Sequence, residues 1–190
     1  MNSLMEIEQK YWADNFTKEE FESRIRSYHS PNMIKSHYVV SCDDYYVRVG
    51  GHAEDFIRFR KGGDKFELTI KRKEGSNLIR KEINIDVSAN DDLAISTFLA
   101  LLGYQKAFQV YKEAWIWNLK NCDASYYTLS DGRSVIELEA HGEFGTKQEA
   151  LDAIYSWEYN LGIKDYLNKE SRSLYEIYTE ELSKKTCCKN

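Results

Sequence analysis

An α+β fold, a closed β-barrel of about eight strands with flanking α-helices, is what this sequence of 190 residues predicts. Three observations carry the expectation. Run after run alternates apolar with ionisable residues, so each strand has one apolar and one charged face. Glycine-rich turn signals, Lys61-Gly62-Gly63-Asp64 and Asp131-Gly132, join such runs as hairpins. One proline (Pro31) and fourteen tyrosines suit long, uninterrupted strands. Strands charged on one face cannot form a simple sandwich, whose inner side would be charged. They can close around a wet, polar lumen with helices covering the apolar outside.

The elements follow in order. Met5 to Tyr11 reads as a strand with Glu6, Glu8 and Lys10 on one face and Met5, Ile7, Gln9 and Tyr11 on the other. Thr17-Lys18-Glu19-Glu20 is a capping box, with Phe21 and Ile25 as the apolar stripe of a helix ending near Ser30-Pro31. His37 to Val49 reads as one or two strands, turned by Gly50-Gly51. Phe56 to Arg60 puts Arg58 and Arg60 opposite Ile57 and Phe59. Phe66 to Lys73 puts Thr69, Lys71 and Lys73 opposite Leu68 and Ile70, and Glu74 to Asn77 turns again. Ile79 to Val87 puts Arg80, Glu82, Asn84 and Asp86 opposite its isoleucines.

Asn90 is the expected cap of a helix ending at Gly103. Ala107 to Trp117 places Lys112 among Phe108, Val110, Ala114 and Ile116, odd company unless that face lines a lumen. Tyr126 to Ser130 and Val135 to Ala140 form the second hairpin, with Glu137 and Glu139 on one face. Thr146 opens a helix carrying Leu151, Ile154, Trp157 and Leu161. A last helix is expected from Asp165 to Leu182. The organisation predicted is a single domain over residues 1–183, then a polar tail, 184–190.

Composition narrows the function. A net charge of −5 argues against a dedicated nucleic-acid binder, which needs surplus Lys and Arg for phosphate contacts. No apolar run approaches a membrane span and no signal peptide is evident, so a cytoplasmic protein without membrane contact is expected. Cys42, Cys122, Cys187 and Cys188 show no metal-ligand spacing and read as reduced thiols, with a lipidated or disulfide-linked Cys187-Cys188 tail left open. His29, His37, His52 and His141 likewise show no ligand spacing.

The predicted lumen holds Glu6, Glu8, Glu82, Glu137 and Glu139 against Lys10, Arg58, Arg60, Lys71, Lys73, Arg80 and Lys112. A lumen that merely neutralises itself is costly, because buried ion pairs often fail to offset their desolvation. A ligand accounts for both clusters. Paired carboxylates are hard oxygen ligands for Mg²⁺ or Mn²⁺. The lysines and arginines suit a polyphosphate, which the arginines can grip in bidentate fashion.

These motifs, in this order, resemble the CYTH superfamily of triphosphate tunnel metalloenzymes, which includes class IV adenylate cyclases and thiamine triphosphatases. The resemblance begins with Glu6-x-Glu8-x-Lys10. It continues through Asp44-Tyr45-Tyr46, Ile57-Arg58-Phe59-Arg60, Leu68-Thr69-Ile70-Lys71, Arg80-x-Glu82, Leu102-Gly103-Tyr104 with Lys112, and Ile136-Glu137-Leu138-Glu139. It closes on Ser171 to Glu176, and Leu101 to Lys112 is most similar to the bacterial cyclase branch. The resemblance implies a closed eight-stranded antiparallel tunnel that binds a triphosphate with divalent metal. Glu6, Glu8, Glu137 and Glu139 would hold the metal. Lys10, Arg58, Arg60, Lys71 and Lys112 would hold phosphate, with Arg80 and Glu82 lining the same lumen.

Two departures stand out. Ala114 occupies the place of a usual arginine. The region Tyr126 to Ser130 lacks the aspartate expected on the strand before the final pair of glutamates. The activity implied is a metal-dependent triphosphatase with Glu8, Glu137 and Lys112 as candidate catalytic residues. Alternatives are a class IV adenylate cyclase and a non-catalytic nucleotide- or polyphosphate-binding module. The expected partner is ATP, tripolyphosphate or thiamine triphosphate, bound by a monomer or homodimer.

Overall fold

The computed structural model describes residues 5–28, 35–48, 55–63, 65–74, 76–88, 91–164 and 167–187. Nine strands and four helices are described: β1 (Met5–Trp12), α1 (Lys18–Tyr28), β2 (Lys35–Arg48), β3 (Asp55–Gly62), β4 (Lys65–Glu74), β5 (Ser76–Asp86), α2 (Asp92–Leu101), β6 (Tyr104–Leu119), β7 (Cys122–Leu129), β8 (Ser134–Ala140), α3 (Lys147–Asn160), β9 (Asn168–Glu170) and α4 (Leu174–Cys187). The strands run β5-β4-β3-β2-β6-β7-β8-β1, and β5 also pairs with β1, which closes an antiparallel barrel of eight strands. The predicted fold class is therefore the observed one.

Strand β1 is the seam. On one side it pairs with β8 over Glu8–Trp12. On the other it meets β5 over Met5–Ile7, then the short β9 over Lys10–Trp12. Its lumen face is thus held from both sides.

The apolar outer faces are covered unevenly. α1 and α3 pack Phe21, Ile25, Ile154 and Trp157 against the outside of β1, β7 and β8, with Tyr11, Ile136 and Leu138 fully buried. α2 lays Ile95 and Leu99 on Tyr46, Ile57, Phe59 and Leu68. The helical cover expected over the whole outside stops there: Ile70, Ile83 and Ile85 on β4 and β5 are 42–47 % exposed. α4 does something different. Its Leu174, Tyr175 and Ile177 pack on Tyr45, Phe56, Val110 and Ala114, which belong to the inner face, so α4 stoppers one mouth of the barrel.

Local chemistry explains the element ends. Thr17 and Glu20 exchange hydrogen bonds as a capping box, and Thr146 caps α3 by accepting from Glu149 N–H at 3.2 Å. Gly132 takes a positive φ of 87° in the β7–β8 turn. The last helix begins at Leu174, not Asp165. Ser173 and Glu176 form a second capping box there, and the preceding chain is used as β9. β7 starts at Cys122, four residues before the expected Tyr126. Expectations resting on Ser30-Pro31, Gly50-Gly51, Asp64, Gly75, Asn90, Asp165, Cys188, His29 and His52 lie outside the described residues.

Gly62 ends β3 where β2 approaches closely. A Cβ there would meet Val40 O at 2.2 Å and Ser41 Cα at 2.5 Å. Backbone atoms cannot yield cheaply, so Gly62→Ala should destabilise the protein by about 1–3 kcal/mol, read as a lower denaturant midpoint at unchanged m-value.

Candidate active site

One cavity of about 330 Å³ runs through the barrel. Its lining brings together Glu6, Glu8, Lys10, Arg58, Arg60, Lys71, Glu82, Lys112, Glu137 and Glu139, ten of the twelve lumen residues read from the sequence. The other two, Lys73 and Arg80, are not among the lining residues. Both turn toward Glu176 of α4, at 3.9 and 3.6 Å, and Arg80 also grips Glu8 at 2.7 Å.

Topology sorts the charges. Around an eight-stranded ring β1 lies opposite β2, and β8 lies opposite β3. The register places Glu8 beside Glu139 and Lys10 beside Glu137, building an acidic wall on β1 and β8. Across the lumen, Arg58 and Arg60 on β3 and Lys112 on β6 build a basic wall. Lys10 and Lys71 mark the boundary: Lys10 is ion-paired with Glu8 and, at 3.2 Å, with Glu137, while Lys71 reaches Glu6 at 2.5 Å and Glu82 at 2.8 Å.

Several lumen residues escaped the sequence reading. Asp43 is fully buried and takes both Nε and Nη2 of Arg60, at 2.8 and 2.9 Å. Glu67 pairs with Arg58 at 3.2 Å. The Tyr127 hydroxyl donates to Glu137 at 3.2 Å, and Lys112 Nζ stands 5.1 Å from its ring centroid. Asp123 corrects the expectation that the strand before Glu137 and Glu139 lacks an aspartate. Because β7 begins at Cys122, Asp123 lies on that strand, opposite Glu139, and lines the cavity. Asn118 donates to it at 2.8 Å, and His141 Nδ1 lies 3.1 Å away. The signal that could have revealed it was the period-2 match of Asp123, Ser125 and Tyr127. Ala114 also lines the cavity.

Burial and like charge set the protonation. Glu6 is raised well above the usual carboxylate range by burial and by Glu8, against the pull of Lys71. Glu139 is pushed up to about 7 by burial, Glu137 and Glu8. Burial also pushes Glu8 up, but Lys10, Lys71 and Arg80 outweigh it and hold Glu8 ionised. Burial and the neighbouring Arg60 bring Lys112 down to about 8, with Asp43 opposing them. On the basic wall, Arg58 keeps an unanswered donor: its buried Nε has no hydrogen-bond partner among the described residues.

Among the described residues, no three His, Cys, Asp or Glu side chains stand ready as a metal cage. Glu8 and Glu137 are drawn to Lys10 instead. The donor chemistry nonetheless fits a hard divalent cation: Glu6, Glu8, Glu137 and Glu139 offer only carboxylate oxygen, and two of the four are raised by burial and by neighbouring carboxylates, whose repulsion a cation would relieve. No helix among the described residues is long and apolar enough to cross a membrane, and Cys42 and Cys122 are free thiols.

No protein-family model matches the chain, and no curated protein does either. Solved structures do. The PH1012 protein of Pyrococcus horikoshii OT3 superposes with a TM-score of 0.74 at 20 % identity, covering 90 % of this chain and 98 % of its own. A protein described as a putative adenylate cyclase from Vibrio parahaemolyticus gives 0.70 at 15 % identity, covering 92 % and 98 %. The barrel fold is shared with these structures. The same fold also matches part of the Schizosaccharomyces pombe Mediator head module, with a TM-score of 0.59 at 8 % identity over 87 % of this chain and 97 % of that one. The fold alone therefore leaves the activity to the lumen residues.

The raised Glu139 has a consequence for stability. A carboxyl whose folded pKa exceeds its unfolded value stabilises below the unfolded pKa, and that contribution is lost as pH rises through the folded pKa. Stability should therefore fall between roughly pH 4.5 and pH 7 on account of this group. Glu139→Gln should flatten that slope and raise stability at pH 8 by about 1–2 kcal/mol, measured by urea titration across pH.

Proposed function

We propose that this chain is a divalent-metal-dependent phosphohydrolase whose substrate is a triphosphate lying along the barrel. One observation carries the reading: an acidic wall of Glu6, Glu8, Glu137 and Glu139 faces a basic wall of Arg58, Arg60 and Lys112 across a single cavity. A metal–triphosphate complex presents those two chemistries side by side.

Mg²⁺ or Mn²⁺ held by the four glutamates would neutralise phosphate oxygens and act as a Lewis acid toward them. The chain's own groups do the rest. Arg58 offers its unpaired Nε–H and Arg60 its outer nitrogen to phosphate oxygens, and fixed donors of this kind stabilise charge as it develops on the leaving diphosphate. Lys112, protonated at neutral pH, adds a point charge on the same wall. Glu8 stays ionised through Lys10 and Arg80, so it can accept a proton from, and orient, an attacking water. Glu137, held by Lys10 and the Tyr127 hydroxyl, is the second carboxylate in reach of that role. Asp123 extends the acidic wall at the level of Glu139.

A non-catalytic binding module is the second reading. Each lumen cation already has an internal carboxylate partner: Lys10 with Glu8, Lys71 with Glu6, Arg58 with Glu67, and Arg60 and Lys112 with Asp43. A lumen so satisfied can hold a polyphosphate without turning it over.

Incubation with tripolyphosphate, ATP and thiamine triphosphate in Mg²⁺ or Mn²⁺ separates the readings. Release of phosphate is the expected result. Pyrophosphate with cyclic AMP would make the protein a cyclase, and ligand protected without turnover would make it a binding module. Glu6→Gln with Glu8→Gln, which keeps side-chain shape around Lys10 and Lys71, should lower metal-dependent turnover by about 10³-fold or more. Turnover at the level of the unaltered protein would remove both residues from the mechanism.

A further inference from the structure

Asp43 stands apart from the other lumen carboxylates. It lies on β2, directly across from Arg60 in the β2–β3 register, and it has no exposed surface. It does not line the cavity, whereas Arg60 and Lys112, which it binds, do. It binds Arg60 through Nε and Nη2 at 2.8 and 2.9 Å, and Lys112 Nζ at 3.3 Å. This two-bond fork fixes the plane of the guanidinium and leaves Nη1 outside the pair.

We propose that Asp43 is a positioning residue for phosphate recognition: from behind the basic wall it fixes Arg60 and Lys112 so that their remaining N–H groups point at one phosphate of the ligand. The inference rests on the reading of the tunnel as a triphosphate site. Without Asp43, Arg60 and Lys112 lose the carboxylate they share, beside Arg58, which is paired with Glu67. The lysine is the member that can relieve the repulsion, by losing its proton.

The charged and titratable groups facing Lys112 are Asp43 from β2, Arg58 and Arg60 from β3, Tyr127 from β7 and Glu137 from β8. Of these, Asp43 and Glu137 favour the ammonium and the arginines oppose it. Deleting the Asp43 charge therefore moves loss of the Lys112 proton to lower pH, and phosphate affinity falls with it.

The test is calorimetric titration of a non-hydrolysable imido analogue of tripolyphosphate with Mg²⁺, from pH 6.5 to 9.5. The unaltered protein should bind, and should weaken as pH rises through about 8. Asp43→Asn should move that fall-off down by about one pH unit or more and weaken binding at pH 8 by about tenfold. Asp43→Glu, which keeps the charge but displaces it by one methylene, should restore the fall-off to within about 0.3 unit while binding about threefold more weakly. Lys112→Met should erase the fall-off with either Asp or Asn at position 43.

Absence of binding by the unaltered protein at every pH would overturn the triphosphate reading and this inference together. Binding whose fall-off and affinity are the same in Asp43→Asn would overturn the role of Asp43 alone. Should Asp43→Asn fail to fold, the Glu variant decides: affinity equal to that of the unaltered protein would show that the position of the carboxylate is immaterial and would overturn the inference.

Discussion

A buried charge needs a partner, and the rest of this molecule follows from that constraint. Seven barrel strands turn ionisable side chains inward, into a space where an unpaired ion costs several kcal/mol. The lumen answers with cross-strand pairs that join carboxylates to ammonium or guanidinium groups. The pairs do more than neutralise. They set two walls of opposite sign, keep Glu8 ionised in a place where burial alone would protonate it, and hold Lys112 near its titration point. A ligand entering this space must offer both signs of charge, because it has to exchange with partners already in place.

The seam at β1 turns that constraint into geometry. A strand paired with β8 on one side and with β5 and β9 on the other has little freedom to slip, and a slip of one residue would turn Glu6, Glu8 and Lys10 out of the lumen. The C-terminal helix α4 completes the enclosure. Its start supplies Ser173 and Leu174 to the cavity wall, and its Glu176 pairs with Lys73 and with Arg80, which also holds Glu8. Two residues that share a strand face with lumen groups in this way tie the stopper to the barrel wall.

Much of the barrel and of its lining was legible in the residues. Arg58-Phe59-Arg60 and Glu137-Leu138-Glu139 can face one way only if the intervening aromatic or aliphatic residue is to be buried. Lys112 among Phe108, Val110 and Ala114 is explained by an inner face that is apolar where α4 enters and charged beyond it. What escaped was of another kind. Asp43 and Asp44 are adjacent and chemically alike. One is sealed behind Arg60, while the other lies on the opposite face with Lys61, Lys106 and Gln109. Asp123 sits among residues that look like a turn, and only the length of β7 draws it into the lumen. The start of α4 did carry a signal, the Ser173-to-Glu176 capping box, which a longer helical pattern obscured.

Period-2 alternation is a local property, so faces, turns and caps could be read from neighbouring residues alone. Partners are not local. That Lys71 meets Glu6 across 65 positions, or that Arg60 spends its fork on Asp43 and Arg58 does not, depends on register and on ring closure between the first strand and the fifth. Which residues carry charge inward is written in the order of the chain. Which charge answers which, and so which donors are left for a ligand, follows only from the closed barrel, because pairing in three dimensions decides where each buried ion finds its counter-ion.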